Sequence, residues 1–464
     1  MLNKLNMPSS RVRKGLRISI IEGSFASIHL QLTGGIFLSG FALYLGASDF
    51  QIGVLSAIPA LLTIMSFLTI PLVRLFGNRK KVVILTAGVG RGLFFIPAIL
   101  IFLGKSIDIR WMLLLLGAFN TLLVIANNTW TSWMSDIVPK NRWGRYFGLR
   151  NMIVGGIGIA VSFAGGLLLD VFKRNKITGQ GFAWIFLIAA VASTISAILL
   201  IDQPYPAKPL RQQKIVDMFT IPFKDKKFKK LILFLAFWHL TSGIASPFFG
   251  VHMLDKLRMT YSQAAIYAVI AGISGLVFQL IWGKIIDKFH AKPVLQISYA
   301  GVAFMPLLWL IASPSALWPI WIDSFFSGIF WTGISAALFN ILLGSVDKSS
   351  LKESYIAVFT VIIGICGFLS GIVGGSIAEM MSNFHLTIWG RNIINYHVLF
   401  AASSVFRFLS LILLARLEDS DTPNLRLTLA AIGSYTLRRL SPGKGLRLRS
   451  INLGSKRQNK KNRV

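Results

Sequence analysis

The chain has 464 residues, of which 54% are hydrophobic and only 14% charged, yet its formal net charge is +31. So few charges could not cover the surface of two or three soluble domains, and 35 Phe, 12 Trp and a mean hydropathy of +0.66 point to lipid as the surrounding solvent. The basic excess is interspersed between long apolar runs, which argues against a nucleic-acid-binding face.

About 20 apolar residues cross a bilayer as a helix. Windows of that kind fall, in chain order, at 18–46, 50–73, 82–103, 111–133, 149–169 and 181–201, then at 230–252, 262–286, 293–312, 318–342, 355–380 and 396–417. The fold class expected is therefore an all-α polytopic membrane protein with twelve transmembrane helices. The first window is too long for the apolar core of a cleaved signal, so it is expected to remain in the mature chain. The lone Cys366 rules out an internal disulfide framework. With the long basic segments set aside, loops on the side of the termini carry 18 Lys and Arg against 8 on the other side. That bias places both termini in the cytoplasm of a cell membrane, plasma or bacterial inner.

Between the sixth and seventh windows the stretch DQPYPAKPLRQQKIVDMFTIPFKDKKFKK breaks the apolar pattern. The expected units are a six-helix bundle at 1–201, a linker at 202–229, a second six-helix bundle at 230–417 and a basic tail at 418–464, read either as solvated and disordered near anionic lipid or, over 425–440, as an amphipathic helix on the membrane. Features recur across the linker. Ser48 with Gln51, and Thr260 with Gln263, each predict a capping box at a helix start. GGLLLD closes the fifth window at Asp170 and GGSIAE closes the eleventh at Glu379; Asn128 and Asn340 lie 212 positions apart. One interval shared by several features reads as a duplicated six-helix unit, its pseudo-symmetric halves related about the membrane normal.

After the second window comes GNRKK (Gly77 to Lys81) and after the eighth GKIIDKFHAKP (Gly283 to Pro293). On these loops and on SDIVPKNRWGRYFGLRN (Ser135 to Asn151), the chain resembles the major facilitator superfamily over about residues 15–417. Gly283, Asp287 and Lys292 match the family's loop signature, with His290 in place of a glycine. Gly77 and Arg79 match it in the first half, with Ile70 and Arg74 where Gly and Asp are usual. Pro139, Arg142, Gly144, Arg145 and Gly148 match the connection between helices four and five. Val161 and Ser162 stand where drug–proton antiporters carry Gly-Pro, which counts against a standard drug exporter. The resemblance implies gating loops containing Gly77, Arg79, Asp136, Arg142, Arg145, Gly283 and Asp287, with Asp136 near Arg145 or Arg142. It also implies a central cavity lined by helices one, four, seven and ten.

Polar residues do fall on those four helices: His29, Gln31 and Thr33 beside Gly34 and Gly35; Asn120, Asn127 and Thr131; His239, Thr241, Ser242 and Ser246; Ser324, Trp331 and Ser335. Polar groups in hydrocarbon are costly and face protein or water. Each is read either as hydrogen-bonding glue between helices or as part of a site, and the expected solute-binding set is His29, Gln31, Asn120, Asn127, His239 and Trp331. Trp111 and Trp318, at window ends, read as interface anchors. Glu22, Asp323, Arg91 and Arg407 are candidate coupling charges: Glu22 shares a helical face with His29, or sits at headgroup level, and the deep arginines need a carboxylate, carbonyl or anionic solute.

The glycine-rich stretches 155–166 and 364–375 lack Gly-Lys-Ser/Thr, and no residue pattern calls for a cofactor or metal. The expected function is a secondary transporter acting as a monomer on a small solute, with a coupling proton or ion, in contact with lipid. The alternatives are a membrane-embedded enzyme such as a lipid-modifying transferase, for which the six scattered histidines offer no focus, or a transporter-like receptor.

Overall fold

The computed structural model describes residues 9–138, 143–205, 225–345, 352–388 and 391–416. Arg142, the middle of the linker and the basic tail with its stretch 425–440 lie outside them. The first span is built from α1 (Ser9–Leu32) and α2 (Gly35–Tyr44), and the second from α3 (Asp49–Leu62), a 3-10 stretch (Thr63–Leu68) and α4 (Thr69–Phe76). The third comprises α5 (Arg79–Gly92) and α6 (Phe95–Phe102); α7 (Ile109–Ile137), α8 (Trp143–Arg174) and α9 (Thr178–Asp202) complete the first half. The second half holds α10 (Lys226–Val251) with a π turn (His252–Lys256), α11 (Tyr261–Phe289), α12 (Ala291–Ile311), α13 (Trp318–Ser345), α14 (Lys352–Met380) and α15 (Asn395–Ala415).

Among the described residues eleven helices are long and apolar enough to cross a membrane. The helix α13 is not one of them; it carries Asp323, Ser324, Ser327, Thr332 and Ser335. A short antiparallel hairpin, β1 (His385–Ile388) with β2 (Arg391–Ile394), departs from the all-α expectation. The β-branched residues Thr387, Ile388, Ile393 and Ile394 favour that local pairing over a plain loop.

Local sequence accounts for the element boundaries. Ser48 Oγ accepts from the Gln51 amide while Gln51 Oε1 accepts from the Ser48 amide, and Thr260 with Gln263 repeats the arrangement, so both capping boxes form. The first span breaks between α1 and α2, where Gly35 adopts φ +50, a left-handed conformation that other residues resist. Thr33 Oγ1 turns back to the His29 carbonyl at 2.8 Å beside that break.

The two halves repeat one packing pattern. In the first, α1 packs on α8 and α9, α5 on α7 and α9, and α3 on α7; in the second, α10 packs on α14 and α15, α12 on α13 and α15, and α11 on α13. Across the halves α3 lies on α14 and α8 on α11. The α3–α14 approach is close enough that a Cβ at Gly375 would sit 3.1 Å from Gly53 Cα.

The cores show where the halves are joined. At the end away from the chain termini, one cluster draws on both: Phe41, Phe94 and Phe186 from the first, Phe248, Tyr261 and Phe400 from the second. Toward the termini the cores separate, with Val12, Trp133 and Met134 in one and Leu235, Trp282 and Tyr299 in the other. Large apolar side chains such as Trp111, Leu114 and Leu280 are exposed, as expected of surfaces that meet lipid tails.

Candidate solute cavity and its closed end

Between the halves the helices leave room. A cavity of about 1070 Å³ is bounded chiefly by α10, α11 and α13, with Ser56 and Ala60 reaching in from α3. His239 and Trp331 line it, as do Tyr267, Gln279, Trp309, Asp323 and Arg407. A second cavity of about 510 Å³ lies at the break in the first span, lined by Gln31, Thr33, Asn120 and Ser162. Ser56, Ser246 and Tyr267 line both, so the two adjoin. A third, of about 230 Å³, opens among Glu22, Gln31, Arg91, Asn127, Trp130 and Arg150.

The buried charges are held by specific partners. Asp323 is 2% exposed and accepts from Tyr267 Oη at 2.5 Å and Ser327 Oγ at 3.0 Å. Arg407, also buried, donates to the carbonyls of Val302 (3.1 Å) and Ser242 (3.3 Å) and lies 5.8 Å from the Trp238 ring centroid. Stripping water from such groups is costly, and these hydrogen bonds offset part of it. In the first half Ser196 donates to Glu22 Oε1 at 2.8 Å, and Arg91 Nη1 stands 3.5 Å from that same oxygen. Glu22 is therefore an ion-paired interior carboxylate rather than a headgroup-level one, and it is the partner of Arg91 that the sequence did not name.

The structure places the expected solute ligands in different compartments. His239 and Trp331 face the cavity of about 1070 Å³, Asn120 that of about 510 Å³, Asn127 that of about 230 Å³, and Gln31 both of the last two. Asn120 Nδ2 also donates to the Leu116 carbonyl at 2.9 Å. His29 departs from the expectation that it faces the cavity. It is fully buried, its Nδ1 lies 3.2 Å from the Ala189 carbonyl, and its ring sits 5.3 Å from both Phe94 and Phe119. It lines none of these cavities and makes no hydrogen bond to Glu22, so no carboxylate–imidazole relay connects them here. The reason is angular: two residues along a helix turn the side chain about 200°, so Gln31 and His29 point to opposite faces.

The closed end is held by charge meeting helix termini. Asp170, the last residue of GGLLLD, accepts from the amides of Tyr261 (2.8 Å) and Ser262 (2.9 Å) in the first turn of α11. Glu379, the last residue of GGSIAE, accepts from the Phe50 amide (3.0 Å) in the first turn of α3. Each half thus supplies a carboxylate to a helix start in the other, where unpaired amides and the helix dipole favour negative charge. Asp49 beside Phe50 accepts in turn from Tyr396 Oη at 2.5 Å and Asn395 Nδ2 at 2.9 Å.

At the opposite end, Gly77 closes α4 at φ +63 and Arg79 pairs with Asp136 at 2.7 Å, tying the loop after the second span to the end of α7. The Arg145 side chain lies outside the described residues, and so does Arg142. Gly283 has open space around its Cα and Asp287 is exposed near the end of α11. Sequence reasoning also missed Arg150, counted as a loop charge, and Tyr267 and Trp309, whose roles arise only from packing. Among the described residues no group of three His, Cys, Asp or Glu side chains converges on a metal position.

Two helical halves packed in parallel around polar cavities define a polytopic membrane transporter fold. The chain belongs to the Major Facilitator Superfamily, whose family model matches residues 23–375 and 231–440. The solved structures it resembles include transporters. A variant of the nucleoside transporter NupG matches with a TM-score of 0.70 at 15% identity, over 87% of this chain and 100% of that one. A bacterial homologue of the human lysosomal transporter Spinster, inward-facing and unoccupied, gives 0.62 at 14% identity over 89% and 95%. The tetrameric PepTSo2 gives 0.60 at 14% identity, over 93% and 99%. A comparison with curated protein sequences returned no match.

Proposed function

We propose that the chain is a secondary active transporter that moves a small solute across a cell membrane by alternating access, driven by a proton or other ion gradient. In this reading α13 is the twelfth crossing, with its polar face turned to the cavity. Both termini are cytoplasmic, residues 1–201 and 230–417 rock as units about the 202–229 linker, and one copy suffices. The observation that carries it is the contrast between ends: one shared core and reciprocal carboxylate caps at the far end, separate cores toward the termini. That is the form expected of a cytoplasm-facing state, in which closing one end and opening the other exposes the same cavity to the other side.

Gln31, Asn120, Asn127, His239 and Trp331 are the proposed solute contacts; His29 is not retained. They supply donors, acceptors and an aromatic face to replace the solute's water, whose uncompensated loss costs several kcal/mol per polar group. Asp323 and Arg407 face the same cavity, and Glu22 with Arg91 a neighbouring one; these are the proposed coupling charges. Gly77, Arg79, Asp136, Arg142, Arg145, Gly283 and Asp287 belong to the loops that would rearrange when the terminal end closes.

Uptake into proteoliposomes tests the reading, with a panel of nucleosides, short peptides, sugars and organic acids assayed with and without a proton gradient. At least one solute should accumulate against its gradient, and Trp331→Ala or His239→Ala should raise its KM more than they lower protein abundance. Equal uptake by protein-free vesicles across the panel would overturn it.

A further inference from the structure

The third cavity, an alcove between α1, α5, α7 and α8, has more positive charge and more donors than its own residues can satisfy. Two guanidiniums share one carboxylate: Arg91 Nη1 is 3.5 Å and Arg150 Nη2 3.8 Å from Glu22. Glu22 is the one carboxylate within ion-pair distance of either arginine among the described residues, and one positive charge is left over. An uncompensated charge in a membrane interior is costly, so a second anion is the expected partner.

Donors without acceptors are buried in the walls of the alcove. Arg91 is 6% exposed and its Nε has no partner; Trp130 Nε1, on the same lining, has none either. Arg150 is steered into place, with Nε donating to Ser19 and the guanidinium 4.4 Å from the Trp130 ring centroid. Gly23 makes room for it, since a Cβ there would collide with the guanidinium. The amides of Gln31 and Asn127 complete the lining, and Gln31 joins the alcove to the second cavity.

We infer that this alcove is an anion subsite, and that the solute docks a carboxylate or phosphate group there. The inference rests on the transport reading for the solute's route in, but binding at the alcove is measurable without transport. The planar fork of Arg150, sharing one carboxylate with Arg91, suits an oxygen-rich anion better than a neutral hydroxyl, because charge-assisted bonds are about twice as strong.

The test uses the full-length protein in neutral detergent with inorganic phosphate, acetate, and the pair uridine and uridine monophosphate. The anions should raise the unfolding midpoint and bind, with uridine monophosphate tighter than uridine. Arg150→Gln should weaken that binding about ten-fold or more, as for loss of a charge-assisted bond. Trp130→Phe keeps the ring beneath Arg150 but removes one donor, so a several-fold loss in a normally folded protein is expected.

Binding by Arg150→Gln and Trp130→Phe equal to wild type would overturn the subsite, as would the failure of all three anions to bind. Added phosphatidylglycerol that abolishes the soluble anions' effect would assign the alcove to a lipid headgroup and overturn the solute reading. Anion binding that depends on Arg150 in a protein that transports nothing would instead sink the transport reading and leave the subsite standing.

Discussion

Replacing Asp170 with Asn should release the far end of the molecule. Asp170 is 5% exposed and receives two backbone N–H groups of α11, at 2.8 and 2.9 Å. A hydrogen bond to a charged acceptor contributes about 1.5–3 kcal/mol, and the helix dipole adds a few tenths to one more. Asn keeps one amide oxygen that can accept, so the change removes about one such bond and the charge, close to 2 kcal/mol. Because these contacts exist only while the halves meet there, the loss falls on the closed state. The ratio of open to closed at that end should rise about thirty-fold. Spin labels at Lys105 and Ser315, in far-end loops of opposite halves, would report it in a Cys366→Ser background. A longer-distance population should grow while the unfolding midpoint changes little. An unchanged distance distribution would refute the reasoning, and a lowered midpoint with unchanged distances would make Asp170 a structural cap rather than a latch.

Other outcomes follow from the same geometry. Gly375→Val should force α3 and α14 apart, since its Cβ would already stand 3.1 Å from Gly53 Cα; the same labels should show a wider far end, and unchanged distances would contradict the tight contact. His29→Ala removes a ring packed on Phe94 and Phe119 and should cost about 1–3 kcal/mol of stability, with the KM for uptake held within about two-fold. A large KM change at unchanged unfolding midpoint would return His29 to the solute site. His290 adopts φ +68 and ψ 168, a region essentially reserved for glycine at a cost of about 1–3 kcal/mol elsewhere. His290→Gly should therefore raise the unfolding midpoint by several degrees, and a fall would show that the His290 side chain outweighs the strain.

What the sequence determined was local or periodic. Apolar windows marked the eleven helices long and apolar enough to cross a membrane among the described residues, because lipid forces backbone hydrogen bonds into helices. Ser48 with Gln51 and Thr260 with Gln263 marked helix starts because a capping box closes within four residues. The shared interval exposed the repeat, and His290 standing in a glycine's place is where the backbone is strained.

What the tertiary structure decided was direction and partnership. His29 and Gln31 are two residues apart, yet one is sealed among rings and the other lines cavities. A pattern of polar residues locates a helix near a site, but the rotation of that helix is set by what packs against it. Arg91 found Glu22 across 69 positions, and Arg150 left its apparent loop to join them. Asp170 and Glu379 were visible as the last letters of matching motifs, but their work depends on helix starts 91 and 329 positions away. Long-range contacts of this kind carry no local signature, because the groups that neutralise a buried charge are chosen by proximity in the folded bundle and not by spacing along the chain.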